Sequence, residues 1–165
     1  MKQLLLIRHA KSDWGNAELS DFERPLNKRG KENAPQMAER LLRRGIVPQE
    51  IISSPAVRAI STAKIFAGTW GISKKEIKEE QAIYEAPVST LIKVINRFDN
   101  TSNFTVLFGH NPGLTMLAVE LCDCDIYNIP TCGVVLMEFA LHDWKMVTAG
   151  TGSLKLFDYP KNEEG

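Results

Sequence analysis

Leu4-Leu5-Leu6-Ile7-Arg8-His9-Ala10 opens the chain with four consecutive apolar residues cut off by two basic ones. A continuous apolar run of that length, with no polar alternation, reads as a strand buried on both faces in a sheet covered by helices. Such a strand delivers Arg8 and His9 to its carboxyl end. Two more stretches repeat the pattern. Ile51-Ile52 runs into Ser53-Ser54-Pro55 and a helix expected from about Pro55 to Gly68, and Phe104-Thr105-Val106-Leu107-Phe108 breaks at Gly109-His110-Asn111-Pro112-Gly113 before a helix over Leu114 to Leu121.

Between these units the chain supplies covering helices. Asn27 is placed to cap a helix running to about Arg44, with Ala34, Met37, Ala38, Leu41 and Leu42 at helical spacing, Pro35 near its first turns and Gly45 as its stop. Leu91, Ile92 and Ile95 form the stripe of another helix over Val88 to Phe98, with Pro87 near its start. Lys11 to Arg29 is polar and irregular, a long loop after a strand, where function commonly sits. Beyond it all, Val134 to Ala140 and Met146 to Thr148 read as strands flanking a turn at His142-Asp143, and Ser153 to Phe157 as a last strand. The fold class is therefore α/β: a three-layer α/β/α sandwich with a mostly parallel central sheet and an antiparallel C-terminal edge. Residues 1-160 are expected to form one domain, and 161-165 a loose polar tail.

In such sheets ligands bind beyond the carboxyl ends of the strands. Arg8-His9, Ser53-Ser54 with Arg58 just after, and Gly109-His110 all fall at those ends. Taken singly, a histidine at a strand end is a satisfied structural group, Arg58 an exposed helix charge and His110 a turn residue. Their convergence argues for a site. Composition narrows its chemistry: the 165 residues are 44% hydrophobic and 24% charged, with 20 basic against 20 acidic side chains, so no global field selects nucleic acid or a membrane surface and any anion site is local. The short N-terminal apolar run is neither a signal h-region nor a membrane span, which makes a cytoplasmic address the default. Cys122, Cys124 and Cys132 are odd in number and lack histidines at zinc spacing, so they read as reduced, buried small side chains, with no metal and no cofactor expected.

Three blocks then carry a resemblance. Leu5 to Ala10, Ser53-Ser54-Pro55-Ala56-Val57-Arg58-Ala59-Ile60-Ser61-Thr62-Ala63 and Val106-Leu107-Phe108-Gly109-His110-Asn111 resemble, in order, the motifs of the histidine phosphatase superfamily, and Arg24-Pro25-Leu26-Asn27-Lys28-Arg29-Gly30 looks most like the small SixA-type phosphohistidine phosphatases. The resemblance implies that His9 is phosphorylated transiently, that Arg8 and Arg58 clamp phosphoryl oxygens, and that His110 completes the pocket. Arg24 either adds a phosphate contact or makes a structural salt bridge. Many members place a carboxylate on a mid-chain segment to protonate the leaving oxygen; here that residue is Glu85, in Ala82-Ile83-Tyr84-Glu85-Ala86-Pro87. Two forked guanidiniums and an imidazole suffice to neutralise a phosphoryl group without magnesium. The expected substrate is phosphohistidine in a protein or another small accessible phosphoryl group, with a phosphosugar phosphatase using Glu85 and a non-catalytic phosphate-binding module as alternatives. Ser12, Asp13 and Trp14, just past His9, either line the rim of the pocket or form an ordinary surface loop, the preferred reading.

Overall fold

A computed structural model describes residues 1–162. Its strands are β1 (Lys2–Arg8), β2 (Glu50–Ser53), β3 (Ile77–Glu79), β4 (Phe104–Gly109), β5 (Val134–Phe139) and β6 (Gly152–Asp158), joined by helices α1 (Lys28–Arg43), α2 (Val57–Trp70), α3 (Val88–Asn96) and α4 (Gly113–Cys122). One six-stranded sheet results, in the order β3-β2-β4-β1-β5-β6. The first four strands are mutually parallel, while β5 runs antiparallel to both β1 and β6. The expected α/β/α sandwich with an antiparallel C-terminal edge is the observed one.

β1 shows why. Leu4 and Leu6 point to one face and pack with α3 and α4, whereas Leu5 and Ile7 point to the other and pack with α1 and α2. All four are completely buried, each contributing roughly 1.5–3 kcal/mol of apolar transfer. A strand buried on both sides has no use for alternation, which is what its sequence displays.

Helix α1 starts where Asn27 accepts the Gly30 N–H on its side chain (2.8 Å) and turns Ala34, Met37, Ala38 and Leu41 inward. One detail departs from expectation: Leu42 is exposed, because it falls outside that stripe, while Pro35 lies inside the helix at the end of its second turn. The strand expected over Met146 to Thr148 is also absent. Trp144–Met146 forms a 3-10 turn instead, since the fully buried Trp144 is pulled into the core beneath α3, its indole N–H donating to Ser102 O (2.9 Å) and its own carbonyl accepting from Asn96 (2.8 Å). The link from β5 to β6 is thus longer than a hairpin turn at His142-Asp143. Conversely, the edge strand β3 escapes a sequence reading because its Ile-Lys-Glu is short and mostly exposed.

Of the expected loose tail, Asn162 is tied down: its carbonyl accepts from Arg40 (3.2 Å), which also grips the buried Asp158 carboxylate. Residues 163–165 lie outside the described residues. Cys132 is buried, but Cys122 and Cys124 are only half-buried. No helix among the described residues is long and apolar enough to cross a membrane.

Candidate active site

Register assembles the site. β1 and β4 pair so that Arg8 stands beside Gly109, and β2 and β4 so that Ser53 stands beside Phe108. One residue further along each strand, the chain presents His9, His110 and Ser54, with two bonds continuing the ladder: His9 N–H to Gly109 O (3.1 Å) and Ser54 N–H to Phe108 O (3.0 Å). The two imidazole centroids lie 5.2 Å apart. Arg58, in the first turn of α2, reaches the same place. Thr62, one turn on, locks that geometry by donating to Arg58 O (2.7 Å) while accepting the Ala10 N–H (3.0 Å).

His9 is 7% exposed, and its Nδ1 lies 2.8 Å from the carbonyl of Ala10. A carbonyl only accepts, so Nδ1 carries the ring proton and Nε2 keeps its lone pair. Nε2 faces Arg58, whose Nε stands 3.4 Å away. Burial pushes the His9 pKa down to about 3, opposed by the Ala10 carbonyl and reinforced by the charges of His110, Arg58 and Arg8. The imidazole is neutral throughout the physiological range. A buried neutral imidazole whose unprotonated Nε2 accepts only a long 3.4 Å bond from Arg58 Nε has the chemistry to attack an electrophile without prior deprotonation.

His110 is tuned in the same way. Ser54 Oγ accepts the Ala56 N–H (3.2 Å) and is also hydrogen-bonded to His110 Nε2 (2.8 Å), a pair in which the ring tautomer sets which atom donates. Burial, then Arg58, lowers its pKa to about 4. Among the described residues neither His110 Nδ1 nor Arg8 Nε has a protein partner. A buried guanidinium N–H without an acceptor, beside a buried ring nitrogen without a partner, suits an anion held in the cleft. Arg8 otherwise donates to Ile129 O (3.0 Å), and burial beside Arg58 depresses its pKa.

The cleft, about 810 Å³, is lined by Arg8, His9, Arg58 and His110 together with Arg24, Asp21, Glu85 and Trp14, among others. Every expected site residue thus reaches one cavity. Arg24 is held by Asp21 Oδ1 through Nε (3.2 Å) and Nη2 (3.0 Å) and by Ser12 Oγ through Nη1 (2.5 Å), so the salt bridge and the position at the cleft coexist. Glu85 is exposed at the rim, on a left-handed backbone (φ 54°). Ser12 and Trp14, read from sequence as plain surface loop, line the cleft as well.

Asp21 is the residue that sequence reasoning missed. Its carbonyl accepts Arg58 Nη1 (2.7 Å), and its Oδ2 accepts Arg58 Nη2 (3.0 Å) and the Tyr84 hydroxyl (2.5 Å). The Tyr84 hydroxyl first, and the two arginines after it, hold its carboxyl well below the usual carboxylate range. One carboxylate therefore orients both guanidiniums and Tyr84, whose ring meets His110 edge-on at 5.5 Å. The one signal available was an acid three residues before Arg24 in the Arg-Pro-Leu block. The loop carrying it is strapped by Asp13 N–H to Pro25 O (2.8 Å) and Asn27 N–H to Lys11 O (2.9 Å), which brings its ends together.

Residues 4–92 match the family model described as histidine phosphatase superfamily, branch 1. A chloroplastic protein of Arabidopsis thaliana, itself uncharacterised, is 30% identical over 94% of this chain and 75% of its own length. Among solved structures, the protein histidine phosphatase SixA complexed with tungstate superposes with a TM-score of 0.82 at 20% identity, covering 97% of this chain and 98% of its own. A mycobacterial glucosyl-3-phosphoglycerate phosphatase does so with a TM-score of 0.64 at 16% identity, over 96% and 99% of the two chains. At those identities the likeness is one of fold.

Proposed function

This chain belongs to the histidine phosphatase superfamily, and from that premise we propose that it is a phosphatase that removes phosphoryl groups from phosphohistidine in proteins through a phospho-His9 intermediate. The observation that carries the reading is the state of His9, with Nδ1 donating to Ala10 O and an unprotonated Nε2 facing Arg58. In the first step Nε2 bonds to phosphorus while the bond from phosphorus to the leaving nitrogen breaks, and that nitrogen keeps the electron pair. In the second, water attacks phospho-His9, the bond from phosphorus to Nε2 breaks, phosphate departs and neutral His9 returns. Arg8 and Arg58 neutralise the equatorial oxygens in both steps, with His110 completing the pocket around them.

Leaving-group chemistry favours phosphohistidine. A phosphohistidine protonated on its other ring nitrogen releases a neutral imidazole directly as the bond from phosphorus to nitrogen breaks, so no enzyme acid is needed, whereas an alkoxide strongly needs one. The ionised Asp21 cannot supply one, because its lone pairs already accept from Tyr84, Arg24 and Arg58. Glu85 lines the cleft, and that position supports a second reading, a phosphomonoester phosphatase in which Glu85 protonates the leaving oxygen. Labelling from a phosphoryl donor tests the intermediate: acid-labile, base-stable label enters the parent and not His9→Ala, and equal labelling of the two sinks the nucleophile assignment. Phosphate release from a phosphohistidine peptide and from sugar phosphates, repeated with Glu85→Gln, separates the substrates. Turnover of sugar phosphates alone, collapsing in that variant, establishes the second reading.

A further inference from the structure

Trp14 differs from the other two tryptophans of the chain. It is 78% exposed, whereas Trp70 is 7% exposed and Trp144 fully buried. An indole left in water is costly, and such residues mark recognition surfaces when they stand beside a binding cleft. Trp14 lines the same cleft as His9, and its position is built rather than loose. The Arg24 guanidinium lies against one face of the ring, 3.5 Å from its centroid, and Arg24 is itself fixed by Asp21 and Ser12 and 7% exposed. One face of the indole is thus propped on a rigid cation, which leaves its remaining surface open at the mouth of the phosphoryl site.

We propose that Trp14 is a specificity-determining residue, a stacking platform that holds the leaving half of the substrate and favours phosphoryl compounds whose leaving group is a planar ring. The inference rests on the phosphatase reading above, and for phosphohistidine the ring held is the departing imidazole. The phosphoryl clamp of Arg8, Arg58 and His110 grips what all substrates share; Trp14 grips what distinguishes them. Stacking of a planar base on an aromatic side chain changes affinity by roughly tenfold.

The test compares pairs of substrates that share a scissile bond and differ in whether the leaving group has a face: phosphohistidine against phosphoramidate, and phenyl phosphate against methyl phosphate. In Trp14→Ala, KM for the ring-bearing member rises about tenfold and KM for its partner stays within about twofold, with kcat little changed; Trp14→Phe recovers most of the loss. Equal changes for both members of a pair, or none for either, overturn the proposal, the first because Trp14 would then act only by propping Arg24. The second pair decides the matter if phosphohistidine is not hydrolysed, an outcome that sinks the substrate reading and leaves Trp14 to be judged by itself. Emission from Trp14, taken as the difference between the parent and Trp14→Phe, gives a readout independent of turnover. It quenches with phenyl phosphate and not with inorganic phosphate, and the same response to both counts against a platform.

Discussion

Acid should unfold this protein through its two buried histidines in the cleft, and the size of the effect follows from their burial. In the unfolded chain both titrate near the ordinary 6.5, whereas in the folded protein His9 titrates at about 3 and His110 at about 4. A base whose folded pKa is depressed binds fewer protons folded than unfolded, so stability is full above pH 6.5 and is lost as pH falls from there toward the folded values. At pH 4.5, two units below the unfolded value, each histidine costs roughly 2.7 kcal/mol relative to pH 7.5. Together they remove a large part of an ordinary domain's stability. Urea unfolding of the parent at the two pH values measures the loss. His9→Asn, which keeps a donor toward Ala10 O, and His110→Gln, which keeps a hydrogen-bonding group toward Ser54, each remove about half of the pH dependence, and the double variant removes most of it. A double variant that loses as much stability as the parent between pH 7.5 and 4.5 refutes the reasoning. The same depression places the acid limb of kcat/KM well below pH 6.5, since Nε2 of His9 stays unprotonated there.

Arg40→Ala should destabilise the protein by about 3 kcal/mol, because it strands the Asp158 carboxylate, which is 1% exposed, and releases the carbonyls of Tyr159, Pro160 and Asn162; urea midpoints measure it, and kcat should hold because the pair lies outside the cleft. Gly30→Ala should act in the opposite manner. Its new Cβ would collide with the Lys11 carbonyl, displacing the strap that follows His9, so turnover should fall by more than stability does, as read by kcat against the urea midpoint of the same sample.

Much of the site was legible in the chain because its determinants are local. An apolar run of four residues ending in Arg8-His9 announces a buried strand and its carboxyl end, and the Gly109-His110 break after Phe104 to Phe108 announces another. Arg58 needed only the strand, turn, helix grammar around Pro55. Trp144 misled for the opposite reason: nothing in its neighbours says that a single indole will be drawn into the core and coil the segment that would otherwise extend.

By itself, then, the sequence determined the central strands β1, β2 and β4, and that Arg8, His9 and His110 stand at strand ends with Arg58 in the helix that follows β2, since apolar runs and chain breaks are properties of neighbouring residues. Only the tertiary structure decided the protonation of His9 and His110, the hold of Asp21 on Arg58 and Tyr84, and the propping of Trp14 on Arg24. Asp21 meets partners 37 and 63 residues away, and burial is a property of the whole packed chain. Contacts and desolvation of that kind exist only once the sheet register has brought the strand ends together.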